Sequence, residues 1–439
     1  MFWGVLSVLL VTSGASSEAV ETQPEGLFVN QIVIDPKDSK TLYAVTVFSI
    51  GLLKSTDGGK NWTQIHQGLK SLSFTQIVID PADSNHLYLA DGCSGLYTSR
   101  NGGRTWVEMN DGLQNTEIGK LVLDAAEAGS AYAATTRGVY KAEDGGKRWL
   151  PFNQGDTFTN GFDFLGLIAL PTHPTTLYLA SKLGLYTRQV GDAGWISTGE
   201  SFAGKQISAL AYDSRNQRLY AAVFRRGVLE TLHEGGLFAS EDGGKHWTRL
   251  GEGLEQDWIR AILIDPSDPK TIYVGTSNRG VIKSGDAGKS WKETNIGIES
   301  RDIRSLVMDP HDSKMLYAGS YGRWIFQSRN AGATWSPLPI GPHQTSAQIL
   351  VSLNQEDEIV RSNSKTKVTP PAAFKKCNTC HGWTDPLINM APHGLWMVPV
   401  NRRDWGSAVK RMSADAGLTP DEEKSITDFL QAYSARAAK

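Results

Sequence analysis

Near the end of the 439-residue chain stand Cys377, Asn378, Thr379, Cys380 and His381. Two thiols separated by two residues can reach both vinyl groups of one haem, and the adjacent imidazole then faces the iron. A redox dithiol with the same spacing needs a βαβ context, and a zinc site needs a second pair of ligands. The sequence offers neither. The remaining cysteine, Cys93 in the stretch ADGCSGLY, is a single thiol and reads as a small residue buried beside a strand. The iron's sixth position has four candidates: Met390, His393, Met397 and Met412.

Short helices must position this chemistry. Asp404 can cap a helix over WGSAVKRM, whose apolar stripe is Trp405, Ala408, Val409 and Met412. Thr419, Pro420, Asp421 and Glu422 form a helix start, with a capping threonine and proline at the first position. Ile426, Phe429, Leu430 and Tyr433 then fall on one face. With these helices, residues 372–439 resemble the small class I c-type cytochromes. The resemblance implies an all-α domain carrying one covalent haem c on Cys377 and Cys380, with His381 as proximal ligand. Such cytochromes place their ligand methionine in a stretch like that of Met412, which makes Met412 the distal candidate. A thioether ligand raises the potential relative to histidine.

The chain before Pro342 is built differently. A unit such as QIVIDPKDSKTLYAVTVFSIGLLKSTDGGKNW recurs seven times over residues 27–342 and closes on Trp62, Trp106, Trp149, Trp195, Trp247, Trp291 and Trp335. The tryptophans are spaced by 44, 43, 46, 52, 44 and 44 residues, the longest interval carrying an insertion near Glu230–Gly236. Each unit holds four short apolar runs, with Gly before the third and a Gly-rich turn before the fourth, and Asp-Pro follows the first run in four of the seven. Four strands in about 44 residues is the period of a propeller blade. Seven units predict an all-β seven-bladed propeller. Residues 343–371 predict an extra hairpin and a polar linker ending in Pro370 and Pro371.

The turn before each tryptophan resembles the Asp-box, Ser-x-Asp-x-Gly-x-x-Trp. Ser55, Asp57, Gly59 and Trp62 match it, as do Ser240, Asp242, Gly244, Trp247 and Ser284, Asp286, Gly288, Trp291. Asn101 and Asn330 replace the aspartate in the second and seventh units, Ala142 replaces the serine in the third, and the fourth has lost the spacing. These acidic side chains are expected to brace their turns by accepting backbone N–H bonds, with glycine taking the positive φ and tryptophan packing between blades. Asp-boxes occur in sialidases, glucan-cleaving hydrolases, sortilin-type receptors and photosystem II assembly factors. The repeats here look most like the assembly factors and the glucanases. No Arg-Ile-Pro signature of sialidases is present, and no motif marks a pair of carboxylates for glycoside hydrolysis.

The run FWGVLSVLLV at 2–11, followed by small residues, reads as a secretory signal ending near residue 19. The expected location is therefore periplasmic or otherwise exported, with no membrane span beyond that segment. A net charge of −2 offers no nucleic-acid-binding surface. The tail from Lys367 onward is slightly basic, with ten Lys/Arg against seven Asp/Glu, and the rest is slightly acidic, with 34 against 39. Three functions fit. The first is single-electron transfer with the propeller as docking platform for a redox partner protein. The second is a propeller-based oxidoreductase or hydrolase using the haem as electron acceptor. The third is an assembly factor with a haem sensor.

Overall fold

The computed structural model describes residues 28–338, apart from 48–50, 72–73, 93, 153–163, 199–201, 225–234 and 323, together with Lys424. The chain divides into two units, 1–341 and 342–439. Of the second, only Lys424 is described, so Cys377, Cys380, His381, Met390, His393, Met397, Met412 and the 343–371 segment lie outside the described residues. Cys93 lies outside them too.

Seven four-stranded antiparallel sheets make up the first unit, each built from four strands consecutive in sequence and hydrogen-bonded in sequence order. This is the seven-bladed propeller that the repeats predict. The first strands are Phe28–Asp35, Phe74–Ile79, Ile118–Leu123, Phe164–Leu170, Gln206–Asp213, Ile259–Ile264 and Ile303–Asp309. Each lies beside the first strand of the next blade, and the seventh lies beside the first, so together they enclose a central channel. Among the described residues no helix is long and apolar enough to cross a membrane.

Local chemistry explains the four strands. Second strands such as Leu87–Asp91, Ala131–Thr135 and Ile272–Thr276 are buried along their whole length. A strand covered by a neighbouring blade on each face has no need to alternate. The fourth strands are only two to four residues long. Shortness at the rim limits the edge available for pairing with another chain. The aspartate ending six of the first strands accepts the backbone N–H two residues on, as Asp35 does from Lys37 at 2.9 Å and Asp265 from Ser267 at 2.8 Å. That Asx turn is the structural content of the Asp-Pro signal.

Hydrophobic burial is concentrated between blades rather than within them. Seven clusters fill the seven interfaces, one of them joining Val29, Ile32, Leu42 and Leu53 of the first blade to Tyr317, Ile325 and Leu338 of the seventh. A tyrosine recurs in every second strand, from Tyr43 to Tyr317. Tyr178 and Tyr273 donate to Gly243 O and Ala331 O in the Asp-box turn of the following blade, each at 2.9 Å.

The Asp-box turns have the expected geometry. Ser55 Oγ donates to Asp57 Oδ1 at 2.8 Å and accepts from Gly59 N at 2.9 Å, while Asn61 N donates to Asp57 Oδ1 at 2.9 Å. Asn101 and Asn330 do the same work through Oδ1, which accepts from Thr105 N and Thr334 N at 3.0 and 2.9 Å. Five tryptophans donate their indole N–H to a carbonyl of the preceding blade, Trp149 to Met109 O at 2.8 Å being one. Trp62 and Trp247 instead donate to the glycine carbonyl of their own turns. Gly112, at φ +84°, passes so close to Trp149 that a Cβ would stand 2.1 Å from the Trp149 carbonyl oxygen.

Candidate functional site at the channel mouth

Aligning the blades on their first strands brings equivalent positions together. The second place holds Asn30, Thr75, Gly119, Leu165, Ser208, Arg260 and Arg304. The third holds Gln31, Gln76, Lys120, Gly166, Ala209, Ala261 and Ser305.

Most polar residues in these two rows tie blade to blade. Asn30 Nδ2 donates to Thr75 O at 2.8 Å, Thr75 Oγ1 to Ile118 O at 3.0 Å, and Ser208 Oγ to Ile259 O at 2.7 Å. In the third row Gln31 Oε1 accepts from Ile77 N at 2.7 Å and Gln76 Oε1 from Leu121 N at 2.8 Å. Ser305 Oγ accepts from Ile32 N at 3.0 Å. Adjacent first strands do not share a sheet, so these side chains supply the partners that their backbone groups need. Lys120 breaks the pattern, because an ammonium has no acceptor to offer the next strand's amide. Burial pushes its amine below the usual lysine range.

Arg260 and Arg304 also depart from the pattern. Each guanidinium lies over an aromatic ring, Arg260 at 3.6 Å from the Trp258 centroid and Arg304 at 3.5 Å from that of Tyr321. Trp258 stacks on Phe224 with centroids 4.7 Å apart, and Tyr321 lies 4.3 Å from Phe28. All four rings come from starts of first strands or ends of second strands, which places the arginines at the end of the channel where the first strands begin.

The polar balance of this corner is incomplete. The Nε atoms of Arg260 and Arg304 are buried without a hydrogen-bond partner, and so is Asp302 Oδ1. The other Asp302 oxygen meets Arg304 Nη2 at a long 3.4 Å. Burial, followed by the charge of Arg304, lowers Arg260 to about 10, so it stays protonated at neutral pH. The neighbouring loops show the contrast. Arg279 donates to Asp257 at 2.7 Å, Glu293 at 3.0 Å and Gly253 O at 2.6 Å. Two stacked guanidiniums near a single carboxylate leave a surplus of positive charge and of N–H donors that can hold an oxyanion.

The sequence reading missed this corner. The available signal was positional: once the blades are aligned, arginine occupies the second place only in the sixth and seventh. Arg225 and Arg226, a conspicuous pair in the sequence, lie outside the described residues. Among the described residues no group of three or more His, Cys, Asp or Glu side chains could hold a metal ion.

A family model described as "Sortilin, neurotensin receptor 3" matches residues 235–367, less than half of the chain. No curated protein matches. Among solved structures the chain is similar to the GH74 xyloglucanase of Xanthomonas campestris, at 18% identity over 72% of this chain and 55% of that one, with a TM-score of 0.58. It is also similar to YCF48 from Cyanidioschyzon merolae, at 14% identity over 70% of this chain and 97% of that one, with a TM-score of 0.54. A third likeness is to the extracellular domain of a candidate one-component system from B. thetaiotaomicron, at 15% identity over 69% and 38%, with a TM-score of 0.52. The chain spans about half the length of the glucanases it matches. At these identities the likeness is one of fold: the chain shares their propeller.

Proposed function

We propose that the chain is an exported electron carrier with one haem, in which the propeller serves as the docking platform for a redox partner protein. The observation that carries this reading is the run Cys377-Asn378-Thr379-Cys380-His381 beyond the propeller. Its donor set fits haem: two thiols for the vinyl groups and an adjacent imidazole for the iron. When bound, the haem supplies one-electron redox chemistry. Cys377 and Cys380 would fix the macrocycle to the chain, His381 would hold the iron from one side, and Met412 is the candidate for the other. The apolar run at 2–11 and the likeness to an extracellular propeller domain support export.

The propeller's polar first-strand side chains are mostly committed to bonds between blades, which favours a binding platform over a hydrolytic centre. YCF48 has been captured with a D1 peptide, so a propeller of this fold can bind a peptide. The test separates partner from metabolite. Oxidised haem-loaded protein is mixed with a periplasmic extract split by ultrafiltration, and haem reduction is followed by absorbance. Reduction should track the protein-retaining fraction. Rapid reduction by the small-molecule filtrate alone would contradict docking of a partner protein.

A further inference from the structure

Three features of the Arg260–Arg304 corner are left without a structural purpose. Two guanidiniums are immobilised face-on against Trp258 and Tyr321, so their N–H edges are the only donors they can present. Both Nε groups are buried and unpartnered, an arrangement that costs stability unless something accepts from them. Beside them Asp302 Oδ1 is a buried acceptor without a donor.

A ligand satisfying all three must bring an oxyanion and a hydrogen-bond donor together. A plain carboxylate answers the arginines but leaves Asp302 unanswered. An ammonium beside two guanidiniums is repelled, whereas a hydroxyl is not. A dianionic tetrahedral group would sit against the Asp302 carboxylate, while a planar monoanion matches the in-plane fork of a stacked guanidinium. We propose that this corner of the channel mouth is a binding site for a small 2-hydroxy carboxylate. Its carboxylate accepts from the Arg260 and Arg304 edges and its hydroxyl donates to Asp302 Oδ1. The site is independent of the haem reading, since every group in it belongs to the propeller.

The test is a calorimetric titration of the full-length protein with lactate, with propionate, which lacks the hydroxyl, and with inorganic phosphate. Lactate should bind saturably and at least tenfold more tightly than propionate or phosphate. Arg260→Lys and Arg304→Gln should each weaken lactate at least tenfold without changing the melting temperature by more than a few degrees. Asp302→Asn should narrow the gap between lactate and propionate. The proposal is overturned by the absence of saturable lactate binding, by equal binding of lactate and propionate, by tighter binding of phosphate, or by indifference to both arginine substitutions. The comparison of ligands on the unmodified protein stands even if a variant fails to fold.

Discussion

The backbone amide of Ile32 donates to the hydroxyl of Ser305 at 3.0 Å, across 273 positions of sequence. With it, Phe28 forms an isolated antiparallel bridge with Tyr321, their tilted rings 4.3 Å apart. Among the described residues, the first and seventh blades therefore close the ring side by side, each with four strands consecutive in sequence.

This closure makes Ser305 a specific weak point. Ser305→Ala removes the acceptor and leaves a buried amide unpaired, at a cost of about 1–3 kcal/mol. Hydrogen exchange should show the Ile32 amide exchanging faster in the variant while amides of the third and fourth blades are unaffected. Equal protection at Ile32 in both proteins would mean that the bond does not hold the ring.

The tryptophans should differ by where their indole N–H goes. Trp149 is fully buried and reaches back to Met109 O, so Trp149→Phe strands that carbonyl and should cost about 1–3 kcal/mol. Trp62 bonds within its own turn and is partly exposed, so Trp62→Phe should cost less. Denaturant midpoints for the two variants check the order. The reverse order would argue against inter-blade anchoring by the indole.

Acid stability should carry the mark of the Asp-boxes. The backbone and side-chain donors of Asn61 hold Asp57 down to about 2, and those of Ser290 do the same for Asp286. An unfolded aspartate titrates near 3.9. A depressed folded value contributes stability that is fully present above about pH 4 and is lost as pH falls toward 2. The pair of substitutions Asp57→Asn and Asp286→Asn should flatten the melting-temperature profile between pH 4 and 2. Unchanged pH dependence would show that these carboxylates are not the linked groups.

Much of the propeller was legible because its signals are local and recur from blade to blade. The Asp-Pro turn, the Ser-x-Asp-x-Gly turn and the closing tryptophan each act within a few residues of themselves, and each appears in the structure where the spacing predicts it. Asn101 and Asn330 keep the turn because an amide oxygen accepts the same N–H groups as a carboxylate. The channel mouth was not legible in this way. Arg260 comes from the sixth blade and Asp302 and Arg304 from the seventh, and they mean nothing singly; only the packing of the two blades brings them to one corner. The inter-blade bonds of Gln31 and Gln76 escaped for the same reason, since their partners lie 45 or more residues away.

The proposed function requires covalent haem attachment at Cys377 and Cys380. Its most direct measurement is haem staining and visible absorbance of the full-length chain after denaturing electrophoresis, expressed in a host able to attach haem. The wild type should retain one haem per denatured chain, and Cys377→Ala with Cys380→Ala should retain none. A wild-type chain that sheds all colour on denaturation, or a double variant that keeps it, would contradict the claim.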